Sequence, residues 1–242
     1  DGHYVQNIVF DGGVSGAVST DAVLSLVQAA HVPQPINVDG DLSDWPPSEF
    51  NIAGDFRRIG VSDEARADPS AETGRELRVR AESQTVAYFC QDGETLYIAL
   101  HAGRPADRVG AAEPTAARNF VEYEDLLPQN EDLVEILIDP TNAGTQSDDL
   151  YHIVLKSTGN PIFERGIGTI PPIGQHQPWP GIPPACCVAP TKYGWCAEIA
   201  IPIASFGPQA AKNPVWGLNL ARLEPSRGEC SDWARAPRYC YD

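Results

Sequence analysis

The residues best suited to chemistry in this sequence are six cysteines, three closely spaced aspartates, five histidines and two glutamates set within apolar runs. Cys90, Cys186, Cys187, Cys196, Cys230 and Cys240 form no CxxC pair and no CxxCH run, so their spacing encodes neither a zinc ribbon nor an attached haem. An even set of thiols without those spacings predicts disulfides, and with them a secreted, periplasmic or cell-surface location. Buried free thiols are the alternative. Local sequence favours Cys187 with Cys196, around a Pro- and Gly-containing turn at 189–195, and Cys230 with Cys240 near the C-terminal end. Cys90 is then left for Cys186.

Asp39, Asp41 and Asp44 stand two and three residues apart and offer the hard oxygen ligands that calcium prefers. The same run also suits a turn whose carboxylates accept backbone N–H groups, with Gly40 free to take positive φ and Trp45 covering one mouth of the core. Asp148 and Asp149 form a second acidic pair, read as a solvated loop. Glu135 and Glu198 are the carboxylates that an acid/base pair would need. Their place inside apolar runs favours a hydrogen-bonding role instead. His3, His31, His101, His152 and His176 lack ligand spacing, and with no methionine in the chain a Met-ligated haem is excluded, so no haem is expected. Without a GxSxG elbow, an HExxH helix or a phosphate-cradling GxxxxGK[ST] loop, the chain reads as non-catalytic.

Over the 242 residues, 33 acidic side chains against 17 basic ones give a net charge of −16, which argues against a nucleic-acid or anionic-membrane partner. Apolar residues make up 42%, too many for a disordered acidic tail. The longest apolar stretch, 22–32, is interrupted by Ser25, Gln28 and His31 and cannot span a bilayer. The sequence begins at Asp1 and holds no methionine, so the initiator and any upstream export signal are expected either to have been removed or to lie outside this sequence.

The elements that must position these residues are short. Twenty-two prolines and 21 glycines punctuate β-rich runs, and the spacing argues for an all-β sandwich. Strands are predicted at 86–90, 95–102, 132–139, 150–156, 195–202 and 216–223. Consecutive Ile136, Leu137 and Ile138 predict burial on both faces. The alternation of Glu198 and Ala200 with Ile199 and Ile201 predicts a strand with one wetter face. Asp92-Gly93 marks a tight hairpin turn. Three segments, 51–85, 103–130 and 160–185, have little strand character and are where function is to be sought. The second holds a short predicted helix at 115–124. The third is Pro-rich and displays Trp179. Residues 1–20 read as a detachable extension, with a strand at 3–10 and a spacer at 11–19, ahead of a single domain at 21–242. The extension either covers its own sheet or adds a strand to a neighbouring molecule.

The order of motifs from about Val23 to Pro237 resembles carbohydrate-binding module family nine and related β-sandwiches. The resemblance is carried by PINVDGDLSDW at 35–45, DGETLYIA at 92–99, DLVEILIDP at 132–140, GWCAEIAIP at 194–202, WGLNLAR at 216–222 and SDW at 231–233. It implies an antiparallel, jelly-roll-like sandwich with long loop insertions, a structural calcium in many relatives, and a sugar held between two exposed aromatic rings. Such a clamp suits the apolar C–H faces and polar rim of a pyranose. The segment preceding the 132–140 motif, 125–131, has no aromatic, and after the SDW motif the nearest are Tyr239 and Tyr241. Trp179 is expected either to supply a relocated platform, with Gln175, Gln177 and Arg238 as rim groups, or to pin its Pro-rich loop to the sandwich. The expected function is non-catalytic recognition of a glycan or another extracellular polymer. The alternative is a structural or assembly subunit that keeps the sandwich without binding sugar and joins like or unlike subunits through its N-terminal segment.

Overall fold

The computed structural model describes residues 2–11, 13, 16–59, 80–104, 131–143, 150–166, 177–208, 210–226 and 228–234. In chain order the strands are β1 (His3–Asp11), β2 (Ala17–Ser25), β3 (Ala30–His31), β4 (Ile52–Ala53), β5 (Arg57–Arg58), β6 (Thr85–Gln91), β7 (Thr95–Gly103) and β8 (Leu133–Asp139). They continue with β9 (Tyr151–Lys156), β10 (Ile162–Arg165), β11 (Gln177–Pro178), β12 (Ala185–Thr191), β13 (Gly194–Pro202), β14 (Gly217–Glu224) and β15 (Glu229–Asp232). The described residues hold 3-10 turns and no α-helix. The predicted helix at 115–124 lies outside them.

Two sheets carry the body of the protein. The first runs β12-β13-β7-β6, with β3 and β4 sharing the free edge of β6; the second runs β11-β10-β9-β8-β14-β15-β5. All pairs are antiparallel except β3 with β6. The two-residue period of a strand decides which side chains meet. Phe89, Ile98 and Ile199 lie in register across the first sheet. Ile136, Ile153 and Leu220 do so across the second. These six, all buried, belong to one core between the sheets. The architecture is an antiparallel β-sandwich, as the sequence predicts.

The outward faces are also covered. On the first sheet, Val32, Ile36 and Trp45 pack on Cys90, Tyr97 and Ala99. Trp45 therefore lies over the outside of a sheet rather than across a mouth of the core. That cover also explains why Glu198 is fully buried although its strand alternates as if one face were wet. On the second sheet, Leu133, Val154 and Leu223 form an outward apolar cluster beside buried Glu135 and His152. β8 is accordingly buried on both faces.

A third unit stands apart. β1 and β2 pair only with each other, from His3 with Ser25 to Asp11 with Ala17. The projecting unit thus extends through Ser25, and the first third of its second strand lies in the stretch read as a spacer. β10 and β12 are likewise strands that the Pro-rich reading of 160–185 and the turn reading of 189–195 obscured. Pro190 is tolerated because β12 is an edge strand.

Candidate recognition site

Glu198 organises the motif at 35–45. Its Oε1 accepts the Trp45 indole N–H at 2.6 Å, and its Oε2 accepts the backbone N–H groups of Asp39, at 2.9 Å, and Gly40. A buried carboxylate is tolerated only when so paired. Gly40 has φ +91°, and a Cβ there would lie 2.8 Å from the Ala189 Cβ, so the turn fits against β12 only with glycine.

The aspartates of this turn are engaged within it. Asp39 accepts from the Asn37 side chain at 2.7 Å and from the Asp41 N–H at 2.9 Å; Asp41 accepts from the Ser43 N–H at 3.0 Å and Asp44 from the Asn37 N–H at 3.3 Å. The structure does not gather Asp39, Asp41 and Asp44 into a ligand set. Among the described residues no group of three His, Cys, Asp or Glu side chains is placed to hold a metal ion.

The five described cysteines are free thiols, and Cys240 lies outside the described residues. Cys90 is in register with Tyr97, Ala200 and Ala185, so Cys186, one residue further along β12, points to the opposite face of the same sheet. A Cys90–Cys186 disulfide is excluded by that alternation. Cys186 faces the core, where burial first and then its neighbours Cys187 and Glu198 push its thiol up to about 12. Cys187 and Cys196 occupy the outward face at Gly40: the Cys196 thiol donates to the Gly40 carbonyl at 3.3 Å, and the Cys187 sulfur would lie 3.3 Å from a Cβ on Gly40. They share a face as thiols, without the expected bond.

Glu135 and Glu198 lie on the outward faces of different sheets, with the whole core between them, and cannot act on one substrate as an acid/base pair. Glu135 instead meets His152, whose Nε2 is 3.1 Å from its Oε2, while the His152 Nδ1 lies 3.7 Å from Glu164. Burial disfavours the imidazolium, but hydrogen bonds and charge from Glu135 and Glu164 prevail and raise its pKa to about 9.

The end of the sandwich where β7 stops and β8 starts is built differently. Arg222 is fully buried and grips Asp132 with two bonds of 2.9 Å, Nε to Oδ1 and Nη2 to Oδ2. Its Nη1 donates to the carbonyls of Gly103 at 2.8 Å and Ser83 at 3.2 Å. Arg104 adds a second cation on Asp132 at 3.2 Å. Nearby, Glu229 accepts the N–H groups of Glu82 and Ser83 at 3.0 and 2.9 Å and pairs with Arg58 at 3.5 Å. The chain ends that lead into residues 60–79 and 105–130 are thereby tied to one ionic lattice.

Tyr193 stands at this end. Lys192 and Tyr193 form the two-residue turn between Thr191 and Gly194, and the Tyr193 carbonyl accepts the Arg104 N–H at 2.8 Å. Its ring is 50% exposed, with the Lys192 ammonium 4.7 Å from the ring centroid. An exposed aromatic ring beside an ammonium group can stack on a sugar ring and bond its rim.

The expected platform is elsewhere. Trp179 is only 7% exposed and packs edge-on against Tyr151, Phe163 and Phe206, at centroid distances of 5.1, 5.9 and 5.8 Å. It pins its segment to the core and offers no face to a ligand. Gln177 is exposed in β11, paired with Arg165. Gln175, Arg238, Tyr239 and Tyr241 lie outside the described residues. Tyr193 was missed because the broad 189–195 turn hid a two-residue one. Arg222 carried a usable signal, since it follows Leu218 and Leu220 at a two-residue period and so had to face inward.

No protein-family profile and no curated protein sequence matches the chain. Solved structures similar to it include two carbohydrate-binding modules. One is a family 9 carbohydrate-binding module from Caldicellulosiruptor kristjanssonii in complex with cellotriose, 16% identical, with a TM-score of 0.48, over 85% of this chain and 82% of that one. The other is a family 9 module from the same organism in complex with glucose, 16% identical, with a TM-score of 0.47, over 85% of each chain.

Proposed function

We propose that this chain is a non-catalytic, extracellular module that recognises a glycan or a similar hydroxyl-rich polymer through the strand end that carries Tyr193. The observation that supports this reading is a half-exposed aromatic ring on a two-residue turn whose Tyr193 carbonyl accepts the N–H of Arg104, the residue that pairs with Asp132 beside Arg222. A rigid root lowers the entropy lost when a surface ring stacks on a ligand. Arg58, Glu82 and Arg104 meet in the same lattice, which holds this end of the scaffold fixed.

Calorimetric titration of the chain with cello-, xylo- and chito-oligosaccharides tests the reading. Saturable binding to at least one series is expected, weakened about tenfold or more by Tyr193→Ala and unchanged by Trp179→Phe. Binding indifferent to Tyr193→Ala would place the site elsewhere. Absence of binding across the panel would reject glycan recognition.

A further inference from the structure

The N-terminal hairpin is apolar on both sides. Val5, Val9 and Val23 fall on one face, and Tyr4, Ile8 and Leu24 on the other, all exposed, with Val5 at 61% and Val9 at 60%. An isolated two-stranded hairpin with two apolar faces is marginal in water. This one is fixed at its root. Gly2 is buried, with φ +76°, where a Cβ would lie 2.9 Å from both the Leu26 carbonyl oxygen and the Trp233 ring. The Leu26 N–H donates to the Gly2 carbonyl at 2.8 Å. His3 Nε2 donates to the Gly54 carbonyl at 3.1 Å, its Nδ1 lies 3.0 Å from the Ser25 hydroxyl, and its ring rests 5.8 Å from that of Trp233. A firmly rooted element is therefore held out from the body with its apolar side chains in solvent.

Next to that root the sandwich is open. A cavity of about 640 Å³ lies between the sheets at the β6–β7 turn, lined by Leu26, Phe89, Leu96, Ile138, Val215 and Trp216 among others, and none of its lining residues is charged. On a chain of net charge −16 this is a neutral, apolar recess. The hairpin matches it: from His3 to Leu26 the only carboxylates are Asp11 and Asp21, and there is no lysine or arginine. A largely apolar element with only two carboxylates and a largely apolar cavity without charge are complementary with little of the repulsion that the rest of the surface would impose.

We propose that the hairpin of one copy docks its apolar side chains in the end cavity of a second copy, and that the exchange is reciprocal. Ser25 and Leu26 belong both to the hairpin root and to the cavity wall, so a copy that presents its cavity also presents its hairpin. That is the geometry of a closed two-fold dimer. The exposed parts of the apolar hairpin side chains come to roughly 500 Å² per copy. With the receiving walls counted, reciprocal exchange covers on the order of 2,000 Å², the size of a stable homodimer interface.

Sedimentation equilibrium of the full chain reads the outcome. A dimer is expected for the wild type. The double variant Val5→Asp, Val9→Asp on the hairpin, and separately Val215→Asp at the cavity wall, should each weaken dimerisation at least 100-fold. All three positions are exposed, so the near-ultraviolet circular dichroism of the sandwich should be retained. An equimolar mixture of the two variants should recover a heterodimer, because one intact hairpin still meets one intact cavity. A wild-type monomer at every concentration, or a dimer that ignores Val215→Asp, overturns the proposal. Tyr193 sits at the opposite end of β7 from the cavity, so failure of glycan binding and failure of assembly are separate results.

Discussion

The indole N–H of Trp45 and the carboxylate of Glu198, 153 residues apart in sequence, meet at 2.6 Å on the outward face of the first sheet. This bond, with the two backbone N–H groups on the other oxygen, joins the 35–45 turn to β13 and closes the cover over Tyr97 and Cys90. Glu198→Ala would leave the buried Trp45 indole N–H and two part-buried backbone N–H groups without their acceptor, at a cost of about 2–3 kcal/mol. Trp45→Phe removes one donor and part of the packing, and should cost less, about 1–2 kcal/mol. Urea unfolding of the two variants checks the order. Equal losses would mean that the carboxylate's bonds to the turn backbone contribute nothing beyond Trp45.

His152 predicts a pH dependence with a definite sign. Its pKa in the folded chain, about 9, lies above the ordinary 6.5. Stability from the imidazolium is therefore complete below about pH 6.5, declines as pH rises, and is gone above about pH 9. The full effect is on the order of 3 kcal/mol. Urea midpoints measured between pH 6.5 and 8.5 should fall steadily in the wild type, and the slope should be lost in His152→Gln. A rising midpoint over that interval would contradict a charged His152 held between Glu135 and Glu164.

Much of the fold was legible because the two-residue period is a strong signal when both faces of a strand are buried. The runs around Ile98, Ile136, Ile153 and Ile199 were placed as strands within a residue or two of their observed limits. The Asp92-Gly93 turn is where its chemistry put it, with Asp92 Oδ1 accepting the N–H groups of Glu94 and Thr95 at 2.9 and 2.8 Å. Strands containing proline or small polar residues, β2 and β12, were not legible, because their stability comes from partners rather than from their own residues. The site was less legible than the fold. Whether Trp179 is a platform or a core residue depends on Tyr151, Phe163 and Phe206, which come from three other places in the chain. Buried Glu198 was misread as facing water because the segment that covers it is 153 residues away.

The cysteines give a prediction that needs no site hypothesis. Cys90 and Cys186 lie on opposite faces of one sheet, so no rotamer brings their sulfurs within bonding distance while the sheet is intact. Non-reducing peptide mapping of the folded chain, after alkylation of free thiols, should contain no peptide linking them. Alkylation of the native protein should also spare Cys186, whose thiol burial holds at about 12. A Cys90–Cys186 linked peptide would require a different register for β12.

Arg222 should be sensitive to a substitution that keeps its charge. A lysine has no planar fork, so Arg222→Lys would give up the paired bonds to Asp132 together with the contacts to the Gly103 and Ser83 carbonyls. Arg104 would remain on Asp132, which sets the expected loss at about 3 kcal/mol rather than the larger penalty of an unpaired buried carboxylate. Hydrogen exchange should quicken at Ser83 and Gly103 in the variant, while Ile98 and Ile136, in the centre of the sandwich, keep their protection relative to global unfolding. Because those loosened positions root the end that carries Tyr193, ligand affinity should fall with them although Arg222 itself is fully buried. A variant that loses stability but keeps both the exchange pattern and the affinity would show that Arg222 serves the core alone.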